Sequence, residues 1–486
     1  MKSSVLLILS TFSAEELKLF DDFLRSPFHN RNNKVILLYD LLKTYHPDYN
    51  NDRLNKENLF KEIYGNEKFR ESYVRNLFSD LKILAENFFV HNNILKSRSK
   101  SKILIEELSN RDLTNLSNKK LTEFEIEINT APSKDQDYYS DKLFVYDMKS
   151  FMLVDKTLIN SFRKDQILSH IKFFLISIME SYFHLIIEEQ RVRIKHEYSF
   201  LKYILNYVKD HLNEFKNVPL LMIFYSLWTA FLEDDSEVSF RNAGEHFKLN
   251  FNKLSQTDKK NIYAVMQLYY DKKIKEGKTK YNKELLNLLL EMLEHNIISH
   301  TKKNYIHINL YRNILILCFK LKEISKLKNF VSGYLKFVRE DSRNTITAYS
   351  KAHLNFLEGN FEAALESCHK INFNDLFMST NENLYFKIDV KTLMLKCLYE
   401  LNSYESAFSH LHTFRQFLNN SKIIRESSKK MHLQLLKFIF DMLNLKLNFN
   451  EYKFITLKNK VIASQSLSGM EWITEKLNEL EVNNRK

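Results

Sequence analysis

Glycine and proline are nearly missing from this chain. Its 486 residues include six Gly and four Pro, where average usage of roughly 7% and 5% would supply several times more of each. Sheets need both residues for tight turns and bulges, and helices tolerate neither in their interiors. The scarcity argues against a turn-rich β fold and against the glycine-rich loops that cradle phosphates. Cysteine is scarce too. Cys318, Cys368 and Cys397 are too few and too scattered for a disulfide framework or a zinc site. They read as small apolar fillers in a reducing compartment. The early apolar run Val5 to Leu9 is too short for a secretory signal core, and acidic residues follow it. No stretch reads as the run of about 18–20 apolar residues that a membrane span needs. A cytoplasmic chain with no membrane span is the expectation.

What is present points to a folded protein. Hydrophobic residues make up 44% and charged residues 27% of the chain, a balance that can bury a core. The 38 Phe and 25 Tyr predict helix interfaces rich in ring packing. The net charge is +12, unevenly placed. Residues 1–130 carry 20 basic and 19 acidic side chains, and the remainder 52 and 41. A polyanion surface on the later helices is one reading, since basic surfaces gain affinity by counterion release. Codon bias in an AT-rich genome is the other, because it removes Gly, Pro and Ala while adding Lys, Asn, Ile, Phe and Tyr.

Helical periodicity runs through the chain. A capping-box pattern at Ser13 and Glu16 opens a helix with Leu17, Phe20, Phe23 and Leu24 inward, ending at Ser26-Pro27. Further helices are predicted over about 32–45, 56–64 and 70–89, with Gly65-Asn66 as a break. The basic run 96–102 marks a soft boundary, residues 103–130 read as helix, and Ala131-Pro132-Ser133 as a second break. The expected division is a helical module over 1–95, a connecting segment over 96–134, and a helical array over 135–486. Gly65, Gly244, Gly277 and Gly359 fall at or near expected inter-helix turns.

Within the array, Ala352, Gly359-Asn360, Phe361 and Ala364 form a distinctive unit: a small residue in one helix, a Gly-polar turn, an aromatic, and Ala three residues on. Tyr404 and Ala407 repeat it, with Asn402 in place of Gly, and Phe240 with Ala243 offers a third copy. These residues resemble the tetratricopeptide repeat. The match is clearest over 345–415 and extends over about 190–415. Phe240, Tyr281, Ile324, Phe361 and Tyr404 are separated by 41, 43, 37 and 43 residues, longer than that family's period of about 34. The resemblance implies an α-solenoid of antiparallel helix pairs that binds a protein or peptide on its concave face. Ser26 to Asn30 and Tyr73 to Leu81 resemble the start of uncharacterised bacterial proteins that place a small helical module before a helical array.

Two places could contact nucleic acid. Helices 56–64 and 70–89 could form a helix-turn-helix with Arg70, Arg75 and Lys82 available. The densest basic cluster holds Lys272, Lys273, Lys275, Lys278 and Lys280, which also reads as a solvated inter-helix turn. Arg191 to Lys195 is a smaller patch of the same kind. Glu180, His184 and Glu188 share one helix face, and Glu366 with His369 is an isolated Glu-x-x-His. A di-iron bundle would need two such motifs. No His-Glu-x-x-His or Gly-x-Ser-x-Gly pattern occurs. No catalytic residues, metal site or cofactor are expected. The leading expectation is a non-enzymatic protein- or peptide-binding scaffold. The alternative is a regulator that touches nucleic acid with its N-terminal module and senses a peptide with its array.

Overall fold

The computed structural model describes residues 3–152, 156–191, 196–233, 236–297, 305–376, 380–424, 426–464 and 470–484. These residues form 24 α-helices and three short 3-10 turns, with no strand among them. The chain is all-α, as its composition predicts. It divides into two packed units, Met1–Ala131 with Ser140–Ser169, and Pro132–Tyr139 with His170–Lys486.

In the first unit the helix Ala14–Arg25 opens on the predicted capping box. The Glu16 amide donates to Ser13 Oγ at 3.1 Å, and the Ser13 amide donates to the Glu16 carboxylate at 2.9 Å. Two end-of-helix donors are thereby satisfied by local side chains. Phe20 sits at the centre of the core, 5.3 Å from Phe12, 5.2 Å from Tyr39 and 5.2 Å from Phe88 between ring centroids. The apolar run near the start becomes a short helix, Ser4–Leu9, that buries Val5, Leu6 and Leu9 in this same cluster.

Two boundaries differ from the sequence reading. The fourth long helix, Glu71–Lys96, continues past its last stripe residue, Phe88. From Val90 onward its side chains are exposed or half-buried, so no apolar period signals the extension. The basic run 96–102 is interrupted only at Ser97-Arg98 before the helix Ser99–Asn110 begins. Arg98 donates to Asp141 at 2.8 Å and Lys102 pairs with the same carboxylate, whose side chain is 6% exposed. That shared buried acid holds the run against the unit.

In the second unit helices pack against their sequence neighbours, as Pro219–Leu232 does on Ser236–Asn250 and Glu340–Leu357 on Phe361–His369. Reversals in both units share one geometry. At Asp112, Gly277, Asn296, Lys322, Gly359 and Asn402 the backbone turns to positive φ. At each, the next amide donates back five residues, as Asn360 does to Asn355 at 2.8 Å and Ser403 to Leu398 at 3.0 Å. This is the Schellman closure, which satisfies orphan carbonyls while turning the chain. Asp112 splits the single helix expected over 103–130 into Ser99–Asn110 and Thr114–Thr130. Tyr281, Ile324, Phe361 and Tyr404 each begin a helix. Phe240 does not: it lies inside Ser236–Asn250, stacked on Tyr269 at 3.8 Å. Gly244 is also inside that helix, facing Met266 Cε across 3.7 Å from where a Cβ would sit. It marks close packing rather than a turn.

One segment corrects the hydropathy expectation. Phe162–Ile187 is long and apolar enough, by length and composition, to cross a membrane. It carries Lys172 and Glu180. Its Leu175, Ile176, Met179 and Phe183 are buried. Trp228 stacks on Phe183 at 4.6 Å and donates to the Met179 carbonyl at 3.0 Å. These contacts give four of its apolar residues a protein environment, while Ile167 and Phe174 stay exposed. All three cysteines are free and buried. Burial pushes the Cys318 thiol up to about 11 and the Cys368 thiol up to about 12, which leaves little reactive thiolate.

The reversals make a testable pair. A Cβ at Gly359 meets nothing within 4 Å, so Gly359→Ala carries only the cost of positive φ, about 1 kcal/mol of lost stability. Asp112→Gly relieves the same strain and gains up to about 1 kcal/mol. Urea midpoints of the two variants should move in opposite directions.

Candidate functional site

The basic residues singled out in the sequence are largely committed within the fold. Lys272 donates to the Phe231 carbonyl at 3.4 Å. Lys273 is buried beside Glu276 at 3.5 Å and over the Tyr269 ring at 5.3 Å. Lys278 and Lys280 both approach Glu237, at 3.6 and 3.7 Å. Lys275 lies in the field of the half-buried Asp271, whose carboxyl is raised to about 6 by desolvation. In the first unit Arg70 donates to the Tyr73 hydroxyl at 2.8 Å and Lys82 pairs with Glu86 at 3.4 Å. Arg75 is exposed, on a helix that also presents Glu71, Asp80 and Glu86. The side chains of the run Arg191 to Lys195, and that of Glu188, lie outside the described residues. Glu180 accepts from Asn261 at 2.6 Å, and Glu366 pairs with Lys370 at 2.7 Å. No group of three or more His, Cys, Asp or Glu that could hold a metal occurs among the described residues.

The repeat-signature residues hold helices together. Ala352, Ala364 and Ala407 are fully buried, and Phe361 meets Phe356 edge to face at 5.2 Å. Beside them runs a buried polar chain that periodicity does not reveal. Arg312 makes a two-pronged contact with Asp389, 2.8 Å on the Nη2 arm, and Tyr349 donates its hydroxyl to the same carboxylate at 2.8 Å. His353, one turn from Tyr349, lies 2.8 Å through Nδ1 from the Tyr349 carbonyl, so Nδ1 carries the proton. Burial pushes this imidazole down to about 4. Lys396 is also buried, with its ammonium 5.2 Å from the Trp472 ring and 5.6 Å from the Phe319 ring. The nearby Glu400 is engaged by Lys476 at 2.9 Å and by the Trp472 indole at 3.0 Å. Burial pushes the Lys396 ammonium down to about 8.

A docking-sized surface lies further along. Helices Tyr404–Asn420, Glu426–Leu447 and Glu451–Ala463 border two adjoining hollows of about 460 and 580 Å³. Phe440 and Asp441 line both. The floor is Leu411, Leu436, Leu445 and Leu457, all buried. Phe408 packs edge to face on Phe440 at 5.5 Å. Phe440 nonetheless remains 46% exposed and Tyr452 80%. The rim is cationic: Arg415, Lys437, Lys453 and Lys460 are exposed, and none forms an ion pair with a carboxylate among the described residues. Asn444 spends its amide on the Phe440 carbonyl at 3.0 Å, and Asn448 lines the same hollow. The single acid, Asp441, is held above the usual carboxylate range by burial, against the pull of Lys437 and Lys460. Sequence reasoning missed this rim because its four cations sit on three helices with no local clustering. A faint signal was available: Phe440 interrupts the polar face that Lys437, Asp441 and Asn444 otherwise form.

No protein-family model, no curated protein and no solved structure matches this chain.

The buried polar chain predicts opposite outcomes for two substitutions. Asp389→Ala strands the Arg312 guanidinium and should cost about 3–5 kcal/mol. Lys396→Met removes an ammonium with no carboxylate partner and should stabilise by about 1–2 kcal/mol at neutral pH. The Lys396 ammonium titrates near 8 when folded, against an ordinary 10.5 when unfolded. Across that window the unfolded chain binds more protons, so this residue's contribution to stability rises with pH. The advantage of Lys396→Met in chemical unfolding should therefore be full below pH 8 and shrink as pH approaches 10.5.

Proposed function

We propose that this chain is a non-enzymatic docking scaffold of the cytoplasm, whose helix pairs continue as an α-solenoid and hold a segment of a protein partner. The observation that carries this reading is the groove of residues 404–463. It combines an apolar floor, an exposed aromatic wall and a polar rim with unspent charge, the composition that recognition clefts share. Its combined volume suits an extended peptide. The tetratricopeptide-like reversals at Gly359 and Asn402 support the same reading, since such pairs stack into arrays with open faces.

The regulator alternative draws on Arg75, which is exposed and has Glu71 as its acidic neighbour one turn away. Affinity purification of the full chain, with and without nuclease, separates the two. The scaffold reading expects protein partners that survive nuclease and are lost in Phe440→Asp. Loss of every partner on nuclease treatment would overturn it and favour the regulator, as would salt-sensitive DNA binding abolished by Arg75→Glu.

A further inference from the structure

We infer that the occupant of the 404–463 groove is an extended acidic segment of a protein partner that carries a bulky apolar side chain, an inference that rests on the docking reading above. Three observations converge on it.

The first is charge. Arg415, Lys437, Lys453 and Lys460 surround hollows that contain one carboxylate, Asp441. Some cations elsewhere in this unit do have acidic partners: Lys278 and Lys280 share Glu237, Lys322 pairs with Glu475 and Lys458 with Glu481. Four unmatched cations around one cleft favour an anionic ligand and a faster encounter with it.

The second is shape. Phe440 divides two hollows with aliphatic floors. A side chain entering either one would be covered by Leu411 and Leu436 on one side of Phe440, or by Leu445 and Leu457 on the other. An acidic polymer without apolar groups would leave both hollows unfilled.

The third separates protein from nucleic acid. Bases bind by stacking on open ring faces, whereas Phe408 and Phe440 meet edge to face at 72°, which leaves Tyr452 as the most exposed ring of the cleft. The Asn448 side-chain amide lines the cleft and complements a peptide backbone that both donates and accepts. A phosphodiester only accepts.

A display selection with the full chain tests the inference, using a random library of peptides about 12 residues long. The enriched sequences should be rich in Asp and Glu around a Phe, Trp or Leu. A fluorescent copy of the winning peptide should bind more weakly as salt rises. It should lose at least about tenfold in affinity against the Lys437→Glu/Lys460→Glu variant, about 1.4 kcal/mol, and against Phe440→Asp or Tyr452→Asp. All four positions are exposed, and unchanged thermal melting confirms that the variants fold. Winners without acidic residues, or equal affinity for the charge-reversed variant, overturn the acidic assignment while leaving peptide docking intact. No peptide enriched over a parallel selection on Phe440→Asp overturns both. Binding of an oligo-dT strand that Lys437→Glu/Lys460→Glu abolishes, with no peptide enriched, assigns the groove to nucleic acid instead.

Discussion

Everything in this structure depends on reversing a helix within two or three residues while leaving no carbonyl unsatisfied. A single amphipathic helix is marginal in water, and its stability comes from covering its apolar stripe. The nearest cover is the next helix in the chain, reachable only if the reversal is tight. Six helix ends among the described residues solve the problem the same way, with one left-handed residue and an amide bonded five residues back. Only two of the six use glycine. Asn and Asp fill three others, as their tolerance of the left-handed region allows, and Lys322 takes the last. A chain with almost no glycine can therefore still be built of tightly turned helices.

The packed faces are not uniformly apolar. Arg312, Tyr349 and Asp389 form a satisfied cluster in which each polar group has a partner, so burial is compensated. Lys396 is different. It sits between two rings while the adjacent Glu400 is already engaged, and its lowered affinity for a proton is the electrostatic consequence. These polar groups tie helices 308–320, 340–357 and 380–400 to one another by chemistry that admits one arrangement. Shape alone would be more permissive.

Charge is the sequence signal whose meaning depends most on tertiary neighbours. The lysines of residues 272–280 form the densest run in the chain, yet the fold spends them on Glu237, Glu276, ring faces and a backbone carbonyl. The cations left unspent around the 404–463 groove are isolated in sequence. A lysine's availability is set by what lies within a few ångströms of its ammonium, and in a helical array those neighbours come from other helices.

The sequence by itself determined the fold class, the capping box at Ser13, the inward stripe of the helix it opens and the reversals at Gly359 and Asn402. All of these are local: a 3.6-residue period, a cap, or a residue's tolerance of positive φ leaves its mark within one or two turns. Only the tertiary structure decided where Glu71–Lys96 ends, that Gly244 serves packing instead of turning, that Trp228 packs on Met179 and Phe183, and which cations remain free. Those outcomes depend on contacts between residues tens of positions apart. Local periodicity carries no record of such distances, so the scarcity of glycine and proline disclosed the architecture but not the surface the architecture creates.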